Sequence, residues 1–193
     1  MVRVVVIDDH PALRAGLRTV LDGAPGIEFA GESNGDEENV WPVLHRTRPD
    51  LLLLDYHLPH ADGMQLCYRI KQSVPAPKVV LYTAYASPAL ALAATLARAD
   101  GMVAKGVAAR DLFEAIRGAH VGERVLPPIS RAAIQDAYEK LDPNDRALVG
   151  MLLDGSTEAE IAHTLRREPR EVRNAVHRIL NTLRIDVPAA QAM

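Results

Sequence analysis

Four short apolar runs in the first 105 residues each stop at a polar side chain. Val4-Val5-Val6-Ile7 runs into Asp8 and Asp9, and Leu51-Leu52-Leu53-Leu54 runs into Asp55. Val79-Val80-Leu81-Tyr82 runs into Thr83, and Gly101-Met102-Val103-Ala104 into Lys105. A short run with no polar face reads as a strand of a parallel sheet covered on both sides. With a further strand near 27–31, strands at 2–7, 51–55, 78–82 and 101–104 alternate with helical patterns. Those helices lie near 11–22, 36–47, 62–73, 88–98 and 109–119. The alternation predicts a doubly wound five-stranded parallel sheet with helices on both faces. Ligands of such sheets bind at the carboxyl ends of the strands, so the polar residues are expected to meet at one edge.

That group suits one chemistry. Clustered carboxylates repel, and a hard divalent cation such as Mg²⁺ relieves the repulsion while keeping oxygen ligands and phosphate oxygens. Lys105 fits a phosphate as a point charge, and the Thr83 hydroxyl can hydrogen-bond a phosphoryl oxygen. Phosphoryl transfer needs mainly positioning and charge neutralisation, and an aspartate can itself accept the group. Asp55, alone after the middle run, is the expected phosphoacceptor. A single aspartate at a strand end is equally a helix cap or a loop residue, so the joint placement carries the argument. A haloacid-dehalogenase-type phosphatase would want a second aspartate two positions on, where this chain has His57.

Residues 1 to about 120 resemble the receiver domain of two-component response regulators. The matching stretches are Ile7-Asp8-Asp9-His10-Pro11, Leu54-Asp55-Tyr56-His57-Leu58-Pro59 with Asp62-Gly63, Thr83-Ala84 and Lys105-Gly106. The resemblance implies a flavodoxin-like fold, phosphorylation of Asp55 by a sensor histidine kinase, and a Mg²⁺ held by Asp8, Asp9, Asp55 and the main-chain carbonyl of His57. It also implies that Thr83 and Lys105 grip the phosphoryl group. Met102 stands where the family often has a switching aromatic ring. His57 and Tyr85 occupy positions that tune dephosphorylation. Such a chain catalyses only its own phosphoryl transfer and dephosphorylation.

Composition excludes other classes. The chain is 48% hydrophobic and 24% charged with a net charge of -3, as in an ordinary globular protein. The lone Cys67 cannot form an internal disulfide and falls among apolar residues of a helix. No signal peptide is visible, and no stretch reaches the roughly 18 apolar residues of a membrane span. The cytoplasm is the expected location, with no membrane partner. The helix 88–98 is unusually apolar for a surface helix. Its Leu90, Leu92 and Leu96 are expected to form a homodimer or partner surface.

Residues 121–140 read as a linker with a short helix, because Gly122, Pro127 and Pro128 break its start and Ser130 can cap a helix. From 141 to 193 a second unit follows. Pro143 opens a helix carrying Leu148, Val149, Leu152 and Leu153, and Gly155 suits its left-handed end. Thr157-Glu158-Ala159-Glu160 matches a capping box. A third helix spans about 169–183 with Val172, Val176, Ile179, Leu180 and Leu183 inward.

Two short helices around a tight turn, the second one basic, suggest helix-turn-helix. The unit resembles the LuxR-type module of NarL/FixJ response regulators, through Leu141-Asp142-Pro143, Asp154-Gly155, Glu160-Ile161-Ala162, Val172-Arg173-Asn174 and Arg178-Ile179-Leu180. The resemblance implies that the third helix enters the major groove of promoter DNA, with Arg170, Arg173, Asn174 and His177 facing bases or phosphates. It implies a homodimer on activation and control of transcription. Residues 166–184 hold six arginines against two glutamates, a net +4, which suits phosphates but equally a solvated face. Glu171 stands where the family usually has threonine, and a carboxylate there is expected to repel backbone phosphate. Arg184 stands where the family has glycine, and Pro188 interrupts the segment of the family's last helix. These departures support a second reading, in which the module binds a partner protein rather than DNA.

Overall fold

The structure, a computed structural model, describes residues 1–59, 61–84 and 86–185. Tyr85 and Pro188 lie outside the described residues. The elements run β1 (Val2–Ile7), α1 (Pro11–Asp22), β2 (Ile27–Ser33), α2 (Glu37–Thr47), β3 (Leu51–Leu54), α3 (Gly63–Ile70) and β4 (Lys78–Thr83). They continue as α4 (Pro88–Leu96), β5 (Gly101–Ala104), α5 (Ala109–His120), α6 (Arg131–Lys140), α7 (Pro143–Leu153), α8 (Glu158–Leu165) and α9 (Pro169–Thr182). Two compact units result: residues 1–86 with 98–126, and residues 87–97 with 127 onward.

The first unit is the expected sheet, all parallel, in the order β2-β1-β3-β4-β5. The four leucines of β3 are 0–1% exposed, which explains why that run alternates with nothing polar. Burying one such side chain contributes roughly 2–3 kcal/mol. One face (Val4, Val6, Leu51, Leu53, Val80, Tyr82) packs on Leu17 and Leu21 of α1 and on Leu112, Ala115 and Ile116 of α5. The opposite face meets α2, where a Cβ at Gly31 would already touch Thr47, Val43 and Val5. Strand order reverses between β1 and β3, and a crevice opens at such a point beyond the carboxyl ends.

Part of the presumed linker belongs to this unit. Met102 N donates to Val125 O at 2.8 Å and Val125 N donates to Asp100 O at 3.0 Å, so the segment after α5 shields the edge of β5. Only past it does Ser130 cap α6, its Oγ accepting from Ala133 N at 3.1 Å.

The second unit joins α4 to α6, α7, α8 and α9. Here the structure corrects the sequence-based expectation. Leu90, Leu92 and Leu96 are 0, 1 and 0% exposed, because α4 packs among α6, α7 and α9. They form no exposed dimer or partner surface in this conformation. A helix apolar on every side needs cover all round, and the chain's own helices supply it.

The Thr157 capping box is present, with Glu160 N donating to Thr157 Oγ1 at 3.3 Å and Thr157 N to Glu160 Oε2 at 2.7 Å. Gly155 takes the expected left-handed backbone, φ 84°. Among the described residues, no helix is long and apolar enough to cross a membrane.

Gly63 is the tightest position in the first unit. A Cβ there would stand 2.3 Å from Asp55 O and 2.7 Å from Tyr56 O, both main chain. Gly63→Ala is therefore expected to lower the unfolding free energy by about 3 kcal/mol through overpacking. Urea denaturation reads this directly, and wild-type stability in the variant would contradict the packing described.

Candidate functional site

Register builds the site. Ile7 pairs with Leu54 across β1 and β3, and Asp55 N donates to Ile7 O at 2.8 Å. The next residues, Asp8 and Asp55, therefore emerge side by side. Thr83 pairs with Ala104 across β4 and β5, and Lys105 N donates to Thr83 O at 2.7 Å. The Lys105 ammonium reaches back over the sheet edge, 2.7 Å from Asp8 Oδ2 and 2.8 Å from Asp55 Oδ2. The structure thus brings Asp8, Asp55, Thr83 and Lys105 to one edge, as expected from the strand ends.

The loop after β1 is tied down locally. His10 N donates to Asp8 Oδ1 at 2.8 Å, and Asp8 N donates to Ser33 O at 3.1 Å. The sequence reading missed Arg14. Its guanidinium donates to Asp8 O at 2.7 Å and pairs with Glu32 at 3.4 Å, holding the acidic loop against β2. The one signal for it was a lone arginine among the apolar residues that open α1. Below the site Asp62 caps α3, its Oδ1 accepting from Met64 N at 2.8 Å and Gln65 N at 3.1 Å. His57 N donates to Asp55 Oδ1 at 3.3 Å, and the His57 ring stands edge-on to Tyr56. Met102 is buried in β5, paired with Leu81.

Asp8 and Asp55 share one ammonium, and Asp9 lies in the same cluster beside His10. Asp8 and Asp55 are 1% and 3% exposed. Burial pushes the Asp55 carboxyl up to about 6 from 3.8; Lys105 opposes this and the Asp8 charge adds to it. Burial pulls the Lys105 ammonium down, but its contacts with Asp55 and Asp8 outweigh that and leave it raised. One oxygen of each acid and one imidazole nitrogen of His10 lie within 4.8 Å of one another. Asp9 Oδ1 is buried and accepts no hydrogen bond. A buried orphan oxygen in an acid-rich cluster fits a hard divalent cation, so these residues are suited to hold Mg²⁺.

The residues expected to face DNA lie on α9. On α9, Val172, Ala175, Val176, Ile179 and Leu180 are buried. Arg170, Arg173, Asn174 and His177 follow the i, i+3, i+4, i+7 spacing of a second face, with Arg170 and Asn174 exposed and the other two half-buried. Arg173 Nη1 lies 3.8 Å from Glu158 Oε2, and Arg178 Nη2 lies 3.2 Å from Asp145 Oδ1. Glu171 was expected to repel phosphate. Its Oε2 instead accepts from Glu168 N at 2.8 Å and caps its own helix.

Comparison with known proteins places this geometry. The profile of the response regulator receiver domain matches residues 4–117. The DNA-binding transcriptional activator DevR/DosR of Mycobacterium tuberculosis is 32% identical over 193 residues, spanning 95% of this chain and 88% of its own. Response regulator UvrY of Escherichia coli is 26% identical over 196 residues, spanning 96% and 89%. A solved LuxR-family two-component response regulator from Aurantimonas superposes with a TM-score of 0.61 at 29% identity, over 72% of this chain and 96% of that one.

The raised Asp55 carboxyl has a signed consequence in metal-free protein. An acid whose folded pKa lies above its unfolded value adds no penalty below about 4 and its full penalty above about 6. Asp55→Asn removes that penalty while Lys105 keeps Asp8. In chelator the variant is expected to be more stable than wild type by about 2 kcal/mol at pH 7.5, short of the roughly 3 kcal/mol of the full displacement. The gain should shrink toward pH 4. Thermal unfolding across that range checks it, and a gain constant with pH would contradict the assignment.

Proposed function

This chain belongs to the response regulator family of two-component systems, and from that membership we propose that it controls transcription through phosphorylation of Asp55. The observation that carries the proposal is the Lys105 ammonium set between Asp8 and Asp55, beside the Thr83 strand end. Oδ of Asp55 attacks the phosphorus of a phosphohistidine on a sensor histidine kinase. The new O–P bond forms as the P–N bond breaks, and the imidazole leaves and takes up a proton. With its carboxyl at about 6, Asp55 is mostly ionised at neutral pH and nucleophilic. Lys105 and Thr83 then close on the phosphoryl oxygens.

Asp8, Asp9 and Asp55, with the main-chain carbonyl of His57, would hold Mg²⁺, which supplies positive charge to the transferring group. The chain catalyses its own phosphorylation and dephosphorylation only. The reading sets it in the cytoplasm, where kinase and chromosome are both within reach.

Output follows from connectivity. Ser87, four residues past Thr83, caps α4, its Oγ accepting from Leu90 N at 3.1 Å. The α4 helix lies inside the helical unit that carries α9. A phosphoryl group that contacts one position of Thr83 better than another biases the position of α4. That population shift promotes homodimerisation and presents Arg170, Arg173, Asn174 and His177 to promoter DNA.

The test is selection of genomic DNA fragments by the purified chain with Mg²⁺ and beryllofluoride, at two salt concentrations. A common site is expected, bound more weakly at higher salt and lost on Arg173→Ala. No enrichment, with Mg²⁺-dependent phosphorylation of Asp55 intact, would overturn the DNA reading in favour of action through a partner protein. No phosphorylation would overturn the phosphoacceptor reading itself.

A further inference from the structure

The two halves of the acidic cluster face different groups. Lys105 takes Oδ2 of Asp8 and of Asp55. Asp8 Oδ1 and Asp9 Oδ1 instead face the imidazole of His10, whose Nδ1 lies 3.2 Å from the first and 2.8 Å from the second. The approach to Asp9 is close in distance yet is no hydrogen bond, since Asp9 Oδ1 accepts none and is buried. Bonds of about 2.1 Å to one octahedral ion put neighbouring ligand atoms about 3.0 Å apart. The measured separations of 2.8 and 3.2 Å bracket that edge.

The ring is held there by the backbone and by its own hydrogen bond, 3.2 Å between Nδ1 and Asp8 Oδ1. His10 is the residue before α1, with its main-chain N–H on Asp8 Oδ1 at 2.8 Å. Its side chain caps nothing and is 51% exposed, so packing does not account for an imidazole at this position.

We propose that His10 Nδ1 adds a nitrogen ligand to the protein oxygens of the acidic cluster, making the site a mixed oxygen and nitrogen one that selects first-row transition divalents over Mg²⁺. The proposal rests on the cation reading of the cluster given above. Imidazole suits Co²⁺, Ni²⁺ and Zn²⁺, whereas Mg²⁺ keeps oxygen ligands and waters. The nitrogen therefore adds affinity for the former and little for the latter. The preference comes from His10, beyond the general rise in affinity along the divalent series that carboxylates alone give.

Calorimetric titration of the full chain with CoCl₂ and with MgCl₂, alone and in competition, tests this beside the visible absorption of bound Co²⁺. The chain has seven histidines, so only Co²⁺ displaced by Mg²⁺ is counted. His10→Ala is expected to weaken this Co²⁺ binding about tenfold, change Mg²⁺ affinity less than twofold, and shift the Co²⁺ absorption. His10→Gln, which keeps a polar side chain of similar reach, should behave alike. Circular dichroism confirms that both fold. An unchanged Co²⁺ to Mg²⁺ affinity ratio in both variants would overturn the role of His10 and leave the acidic cluster intact as a cation site. No Mg²⁺-displaceable Co²⁺ in wild type, or the same binding in Asp9→Asn, would overturn the cation reading of the cluster and this inference with it.

Discussion

The Lys105 ammonium is what allows the sheet edge to exist in its present form. The β1–β3 register sets two carboxylates next to each other, and the apolar strands beneath keep both nearly out of water. Buried like charges repel strongly where the dielectric is low. One cation 2.7 and 2.8 Å from the two oxygens compensates both. The same contact ties the ends of β1 and β3 to the end of β5, which is also fastened through Lys105 N to Thr83. A phosphoryl group arriving at Asp55 would bring its own negative charge to this ammonium. It would then compete with Asp8 for the cation, and that competition involves every strand end that carries a functional side chain.

The α4 helix sets where such a change can travel. It lacks a polar face, so it is stable only when covered, and it lies with α6, α7 and α9 in the second unit. It is also joined to Thr83 by four residues of chain. An element buried in one unit and tethered to the strand that ends in Thr83 in the other has a natural mechanical role. Packed interiors shift between discrete arrangements rather than deforming continuously.

The sequence made the sheet legible because apolar runs buried on both faces leave no competing period, and each functional side chain sits one step past such a run. Asp8, Asp55, Thr83 and Lys105 could be named for that reason. The cover of α4 was illegible for the complementary reason: a helix apolar all round shows no direction, so Leu90, Leu92 and Leu96 revealed a need for burial and not its source. Arg14 was hidden because its partner is the main-chain carbonyl of Asp8, and any residue type presents a carbonyl. The docking of 122–126 against β5 was hidden likewise, since edge pairing runs through backbone groups.

The α9 face shows how a charge count misleads without geometry. Its net positive charge is partly met within the unit, Arg173 by Glu158 and Arg178 by Asp145. Glu171, counted as repulsive, turns its carboxylate to the helix's own first turn, where an acid is favoured. Both arginines remain substantially exposed, 43% and 60% by side chain. Their acidic partners are not: Glu158 and Asp145 are 11% and 8% exposed by side chain. Taking the cation from a buried carboxylate is costly, so these pairs hold the arginines in place rather than release them. The charge count therefore overstates the positive charge that α9 offers outward: Arg173 and Arg178 are engaged by acids of their own unit, and Glu171 serves the first turn of its own helix.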